Sequence, residues 1–147
     1  MPVAGSFGQM ALIGRLHPLL IHFPIALVIA AAGAEAVAIA THDARWRVGA
    51  LVNIRAGAVF AVLAAVTGWR LASAAAMDPT PELEWHRWLG TITAGVAVAA
   101  AVAVSGAERP RWALWTYRIA LAGAGALVAI AGHLGAVLVW GAGFLRP

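Results

Sequence analysis

Cysteine and lysine are absent from the 147-residue sequence, and charged residues make up only 11% of it. Without cysteine the chain cannot form disulfides, iron–sulfur clusters, thiolate zinc sites or the covalent C-x-x-C-H attachment of haem. Any metal chemistry must therefore use histidine or oxygen ligands. An ordinary soluble domain is about one-quarter charged, whereas this chain is 63% hydrophobic with a mean hydropathy of +0.86. This composition excludes a soluble enzyme and predicts a membrane protein.

All ten cationic residues are arginines, and the formal net charge is +4. Because the arginines are scattered among apolar segments rather than clustered, they do not indicate nucleic-acid binding. We interpret them as markers of membrane topology. The lack of lysine, together with the abundance of alanine, valine and glycine, is typical of GC-rich codon usage and indicates a bacterial source.

A membrane-spanning helix needs about 20 mostly apolar residues, and the sequence contains four such stretches, at 17–41, 49–73, 86–105 and 114–145. The connections between them are short, which favours antiparallel neighbours. Asp78 and Pro79 mark the middle connection as a turn. The sequence therefore predicts an all-α, integral membrane four-helix bundle with up-down-up-down topology. We expect one domain over residues 1–147, with both termini on the same side.

The distribution of arginines predicts the orientation of this bundle. We call the face that carries both termini side A and the opposite face side B. Six arginines lie near side B and four near side A, so the positive-inside rule places side B in the cytoplasm. Side A then faces the periplasm, and the expected location is the bacterial inner membrane. The six are Arg45, Arg47, Arg55, Arg109, Arg111 and Arg118.

Four of the five histidines gather towards side A, and two of them lie within the apolar depth of their spans. At 1.5 Å per residue, His22 and His133 lie at the same depth, each on a helix face of small residues. An ionisable side chain at that depth marks a functional site by default. Two imidazoles at equal depth in a helical bundle are typical of bis-histidine ligation of a b-type haem. The sequence thus predicts haem b held by His22 and His133.

The other two histidines of this group begin spans. His17 precedes a proline at the first helical position, and His86 opens the third span. We expect them either to support the haem ligands or to ligate a second haem, and a merely interfacial role is the alternative. Pro24 removes a backbone hydrogen bond and is expected to bend the first span.

Three arginines near side A suit the propionates of a haem, because a guanidinium matches a carboxylate. These are Arg15, Arg70 and Arg87. Glu35 is the only acid deep in a span, five helical turns beyond His17 and on the same face. A buried charge usually finds a counter-charge, so we expect a structural ion pair between Glu35 and Arg55. A proton path from Glu35 is the alternative.

Several segments together resemble a family of small bacterial four-helix membrane proteins, classed as a domain of unknown function (DUF2231). The most specific is HPLLIHFPIAL in the first span, and the others are AAVTGWRLA, HRWLG and GHLGAVLVWGAG. The resemblance covers nearly the whole chain, although Ala136 and Val137 replace a glycine and an acid that members often carry. Such domains sometimes occur beside or fused to cytochrome c modules. The resemblance therefore implies respiratory electron transfer on the periplasmic side.

We expect a membrane-embedded b-type haem protein that transfers electrons between a quinol or membrane dehydrogenase and a periplasmic c-type cytochrome. One alternative is a membrane protein that binds or transports copper or zinc through the histidines, since imidazole suits both metals. Another is a non-catalytic structural subunit of a larger membrane complex. No catalytic motif supports a stand-alone enzyme, so an accessory or electron-transfer subunit is expected, as a homo- or hetero-oligomer in the lipid bilayer.

Overall fold

The computed structural model describes residues 12–74, 78–104 and 110–144, and these residues form helices and short connections with no strand among them. The first span consists of two helices, α1 (His17–Leu20) and α2 (His22–Thr41). Three long helices follow, and these are α3 (Ala44–Ala74), α4 (Pro81–Ala103) and α5 (Arg111–Trp140). The all-helical architecture predicted from the sequence is therefore confirmed.

Proline explains the break in the first span. α1 ends at Leu20, and Ile21 separates it from α2. Pro24 has no amide hydrogen to donate to the carbonyl of Leu20, and its ring crowds that carbonyl. The next backbone hydrogen bond, from the amide of Ile25 to the carbonyl of Ile21, is long at 3.4 Å. The helix is thus interrupted at Ile21, just before the proline, although the backbone there stays in the right-handed helical region.

Three stretches of the described residues are long and apolar enough to cross a membrane. They are Leu12–Thr41, Ala44–Ser73 and Arg111–Trp140. α4 is of comparable length, but its first two turns carry Glu82, Glu84, His86 and Arg87, which lower its hydropathy. Its start is well defined, because the hydroxyl of Thr80 accepts a hydrogen bond from the amide of Leu83 as a helix N-cap.

Side-chain contacts show the antiparallel order of the bundle. Trp69, late in α3, donates a hydrogen bond to Thr91 in the first half of α4. Glu35, late in α2, pairs with Arg118, early in α5. The hairpins α2–α3 and α4–α5 have the closest packing, and α2 also contacts α5. The helices therefore form the predicted up-down-up-down bundle, in which α2 and α4 stand on one diagonal and α3 and α5 on the other.

The core of this bundle consists mainly of alanine, valine and leucine. Small residues allow membrane helices to approach closely, while larger apolar side chains cover the outside of the bundle. In α5 the buried positions recur every three or four residues, as expected for one face of a helix. They are Ala113, Tyr117, Leu121, Ala124, Val128 and Ala131. This repeat of buried positions decides which histidines face the interior.

A candidate two-histidine site

Two imidazole rings meet between diagonally opposed helices of the bundle. His17 belongs to α1 at the start of the first span, and His86 lies in the second turn of α4. Their ring centroids are 6.2 Å apart, and their planes are nearly perpendicular at 78°. Both side chains are half-buried. The structure therefore brings together the two histidines at the beginnings of the first and third spans.

Each ring is fixed by a carbonyl group of another helix, α3 for His17 and α5 for His86. The Nδ1 atom of His17 lies 2.9 Å from the carbonyl oxygen of Ala64, and the Nδ1 atom of His86 lies 2.9 Å from that of Ala131. A carbonyl oxygen can only accept, so both Nδ1 atoms donate, and in the neutral ring Nε2 carries the free lone pair. Histidines that ligate metals are typically held in this way, because the bond fixes the tautomer and the ring orientation.

A glycine makes room for each ring. A Cβ atom at Gly68 would lie 2.8 Å from Cε1 of His17, and one at Gly135 would lie 3.0 Å from Cε1 of His86. Ordinary carbon contacts are about 3.5–4.0 Å, so a side chain at either position would collide with the imidazole. In both hairpins the accepting carbonyl lies four residues before the glycine. Each half of the chain thus contains the same arrangement, a histidine held by a carbonyl and packed on a glycine. We call it the histidine–glycine unit: His17, Ala64 and Gly68 in the first half, and His86, Ala131 and Gly135 in the second.

His22 and His133, the haem ligands expected from the sequence, lie elsewhere. Both are exposed on the outer surface of the bundle. The ring of His133 packs at 5.9 Å from that of Phe144. The small residues that share their faces, such as Ala26 and Ala126, are exposed as well. These faces therefore point away from the interior, and the two rings that meet inside are those of His17 and His86.

Of the three arginines expected near haem propionates, one lies next to the histidine pair. Arg87 follows His86 in α4, and its guanidinium stacks 3.7 Å from the ring centroid of Trp69 as a cation–π contact. Its buried Nε atom has no hydrogen-bond partner among the described residues. Arg15 and Arg70 are exposed. Of the three arginines, Arg87 is therefore the one whose side chain is partly buried, and it packs against Trp69.

The predicted ion pair between Glu35 and Arg55 is wrong. Glu35 is buried and accepts hydrogen bonds from Nε of Arg47, at 3.1 Å, and from Nε of Arg118, at 2.9 Å. Arg55 instead donates to the carbonyl of Val104 at 3.5 Å. Glu35 and Arg47 both lie within about two helical turns of the connection between α2 and α3, which is formed by His42 and Asp43. The position of Arg47 near this connection was the signal in the sequence that points to it as a partner.

The described residues contain no group of three or more histidine, aspartate or glutamate side chains that could hold a metal ion. A structural zinc site normally has four such ligands in tetrahedral geometry. The described part of the bundle thus offers a pair of imidazoles rather than a set of zinc ligands. A group that takes only two imidazole ligands is compatible with this pair.

Comparison with known proteins places the chain in a family. No curated protein and no solved structure matches it. The family model described as "Predicted membrane protein (DUF2231)" matches residues 15–145. The matched region includes both histidine–glycine units and all the helices of the bundle, which agrees with the resemblance seen in the sequence motifs. The chain therefore belongs to the DUF2231 family of predicted membrane proteins.

Proposed function

We propose that this protein is an electron-transfer protein of the bacterial inner membrane in which His17 and His86 hold a b-type haem. One observation carries the proposal: two imidazoles from diagonal helices lie with their ring centroids 6.2 Å apart, and both have their Nδ1 atoms fixed by carbonyl groups. The haem remains the cofactor that the sequence predicts, but its proposed ligands change from His22 and His133 to the buried pair.

The separation of the two rings supports His17 and His86 as a pair of metal ligands. Two metal–nitrogen bonds of about 2.0 Å each, together with the two ring radii, span about 6 Å between centroids. The observed centroid distance is 6.2 Å. His17 and His86 would hold the haem, which would supply one-electron transfer when bound. The protein's part is to orient both imidazoles through the two carbonyls and to offer the Arg87 guanidinium to a propionate.

A single copper ion between the same two imidazoles is a second candidate. It is favoured by the packing of the two rings directly over Gly68 and Gly135, which fills the space that the glycines leave. A macrocycle would require the two hairpins to separate, whereas an ion would not. Imidazole suits copper, and the ring separation fits both candidates equally.

The lipid bilayer surrounds the long apolar helices, and the proposed orientation places the histidine pair towards the periplasm. The support for this orientation is the excess of arginines near side B. The proposed electron donor is a quinol or a membrane dehydrogenase, and the proposed acceptor is a periplasmic c-type cytochrome. The support for the acceptor is the association of related domains with cytochrome c modules, which the family resemblance implies.

The test is an optical spectrum of the purified protein in detergent, produced with ample haem and recorded oxidised and reduced with dithionite. We expect a b-type α band that disappears in His17→Ala and in His86→Ala. The exposed histidines provide matched controls, so His22→Ala and His133→Ala should retain the band. If only His22→Ala and His133→Ala lose the band, the exposed histidines are the haem ligands and the proposal is wrong.

Metal analysis of the same samples distinguishes the alternatives. If the protein is colourless and retains about one copper ion per chain, and if His17→Ala loses that copper, the bound group is copper and not haem. A protein with neither haem nor copper would overturn both proposals and favour a structural subunit. Gel filtration of each variant verifies that loss of the cofactor is not loss of the fold.

A further inference from the structure

An apolar groove runs along the outside of the bundle between α3 and α4, and neither histidine of the pair lines it. Its volume is about 440 Å³, and its lining consists of apolar side chains with a single guanidinium. Several of the lining valines are well exposed, including Val59 at 60% and Val102 at 65%. The lining residues are Arg55, Ala58, Val59, Val62, Leu63, Val98, Ala101 and Val102.

The guanidinium at one end of this groove belongs to Arg55. It lies at the level where α4 ends, since its Nη2 atom donates to the carbonyl of Val104 at 3.5 Å. Glu35, the deeply buried carboxylate among the described residues, is occupied by Arg47 and Arg118, and no carboxylate of the described residues pairs with Arg55. A guanidinium carries five donors, and the Arg55 side chain is exposed, so an anion can reach it.

The direction of the groove gives the shape of its ligand. From Arg55 the lining of α3 continues to Leu63, eight residues away and about 12 Å along the helix. The positive charge thus stands at the end of the groove where α4 ends, and the apolar part runs from there along α3 to Leu63. An anionic group joined to a hydrocarbon chain has this arrangement.

We infer that the groove binds one acyl chain of an anionic phospholipid, whose phosphate lies against Arg55. The planar guanidinium matches phosphate oxygens in a two-pronged contact. Basic sites between membrane helices on the cytoplasmic side are known to hold anionic headgroups. The inference is independent of the histidine pair and of any cofactor.

The experiment measures lipid retention by native mass spectrometry of the purified protein in detergent, titrated with phosphatidylglycerol or with phosphatidylcholine. We expect the wild type to retain phosphatidylglycerol preferentially. Arg55→Gln should weaken this retention about fivefold, since one arginine near an anionic headgroup contributes about 1 kcal/mol. Arg55→Lys should restore most of it. Arg70→Gln, which removes an exposed arginine near the other end of α3, is the matched control and should bind as the wild type does.

A second variant tests the groove itself. Val62→Trp leaves Arg55 intact but fills the apolar channel, and it should reduce retention of phosphatidylglycerol as well. Circular dichroism checks that each variant is folded. Equal loss in Arg55→Gln and Arg70→Gln, or equal retention of the two lipids by the wild type, would overturn the inference. Displacement of phosphatidylglycerol by inorganic phosphate at millimolar concentration would also overturn it, because the site would then bind the anion without a chain.

Discussion

Gly68 offers the sharpest test of the two-histidine site. In Gly68→Ala the new Cβ atom would stand 2.8 Å from Cε1 of His17 and 3.1 Å from its Nδ1. Carbon contacts are ordinarily no shorter than about 3.5 Å, so the ring must move about 0.7 Å away from α3. This movement of the His17 ring also lengthens its 2.9 Å hydrogen bond to the carbonyl of Ala64. The new distance exceeds the usual upper limit for such hydrogen bonds, about 3.2 Å.

The free-energy cost follows from two opposing effects. Overpacking of this kind costs about 1–3 kcal/mol, whereas replacing a helical glycine by alanine stabilises the helix by about 1 kcal/mol. Gly95→Ala in α4 isolates the second effect, because nothing lies within 4 Å of a Cβ built there. We therefore expect Gly68→Ala to be less stable than Gly95→Ala by about 1–3 kcal/mol.

Denaturation in mixed micelles, followed by circular dichroism, measures this difference. The spectrum of any bound haem gives a second readout, since a displaced His17 should weaken or shift the α band in Gly68→Ala and leave it unchanged in Gly95→Ala. Equal stability of the two variants, together with identical spectra, would refute the packing of His17 against Gly68 and with it the proposed site.

Two further predictions concern the charged residues. Glu35→Gln leaves two partly buried guanidiniums without a carboxylate and should lower the free energy of unfolding by about 3 kcal/mol. Arg55→Gln should change this free energy far less. Equal effects of the two substitutions in micelle denaturation would contradict the ion pairs of Glu35. Hydrogen bonds from the Arg45 side chain, and then from its backbone amide, hold the pKa of Asp43 below its ordinary value. Its charge therefore stabilises the fold above the ordinary carboxyl pKa, and this contribution is lost as the pH falls through the lowered pKa. Asp43→Asn should accordingly lower the thermal midpoint at neutral pH and converge with the wild type in acid; a difference that persists in acid would rule out the charge as its cause.

The number and order of the helices could be predicted from the sequence because length and apolarity alone define a span. The break before Pro24 was equally predictable, since it follows from the missing amide hydrogen. The rotation of each helix about its axis was not. In water, small apolar residues mark the inner face, but lipid is as apolar as a protein core. Alanines such as Ala26 and Ala31 therefore occupy both outer and inner faces.

The same ambiguity explains why the sequence pointed to the wrong histidines. His22 was selected because it lies deep in a span, but the structure exposes it, whereas His17 faces the interior together with Glu35. What the sequence did carry were two similar spacings. His17 and Gly68 are 51 residues apart, and His86 and Gly135 are 49 apart. This similarity was the available hint towards the inner pair.

The repeated histidine–glycine unit makes the site a property of the pairing of two hairpins. Each hairpin supplies one imidazole together with the carbonyl and the glycine that position it, and neither supplies the second ring. A ligand held between the rings would thus bind only when both halves of the chain are inserted and associated. Because such binding stabilises the associated state alone, occupancy of the site would report on completed assembly of the protein in the membrane.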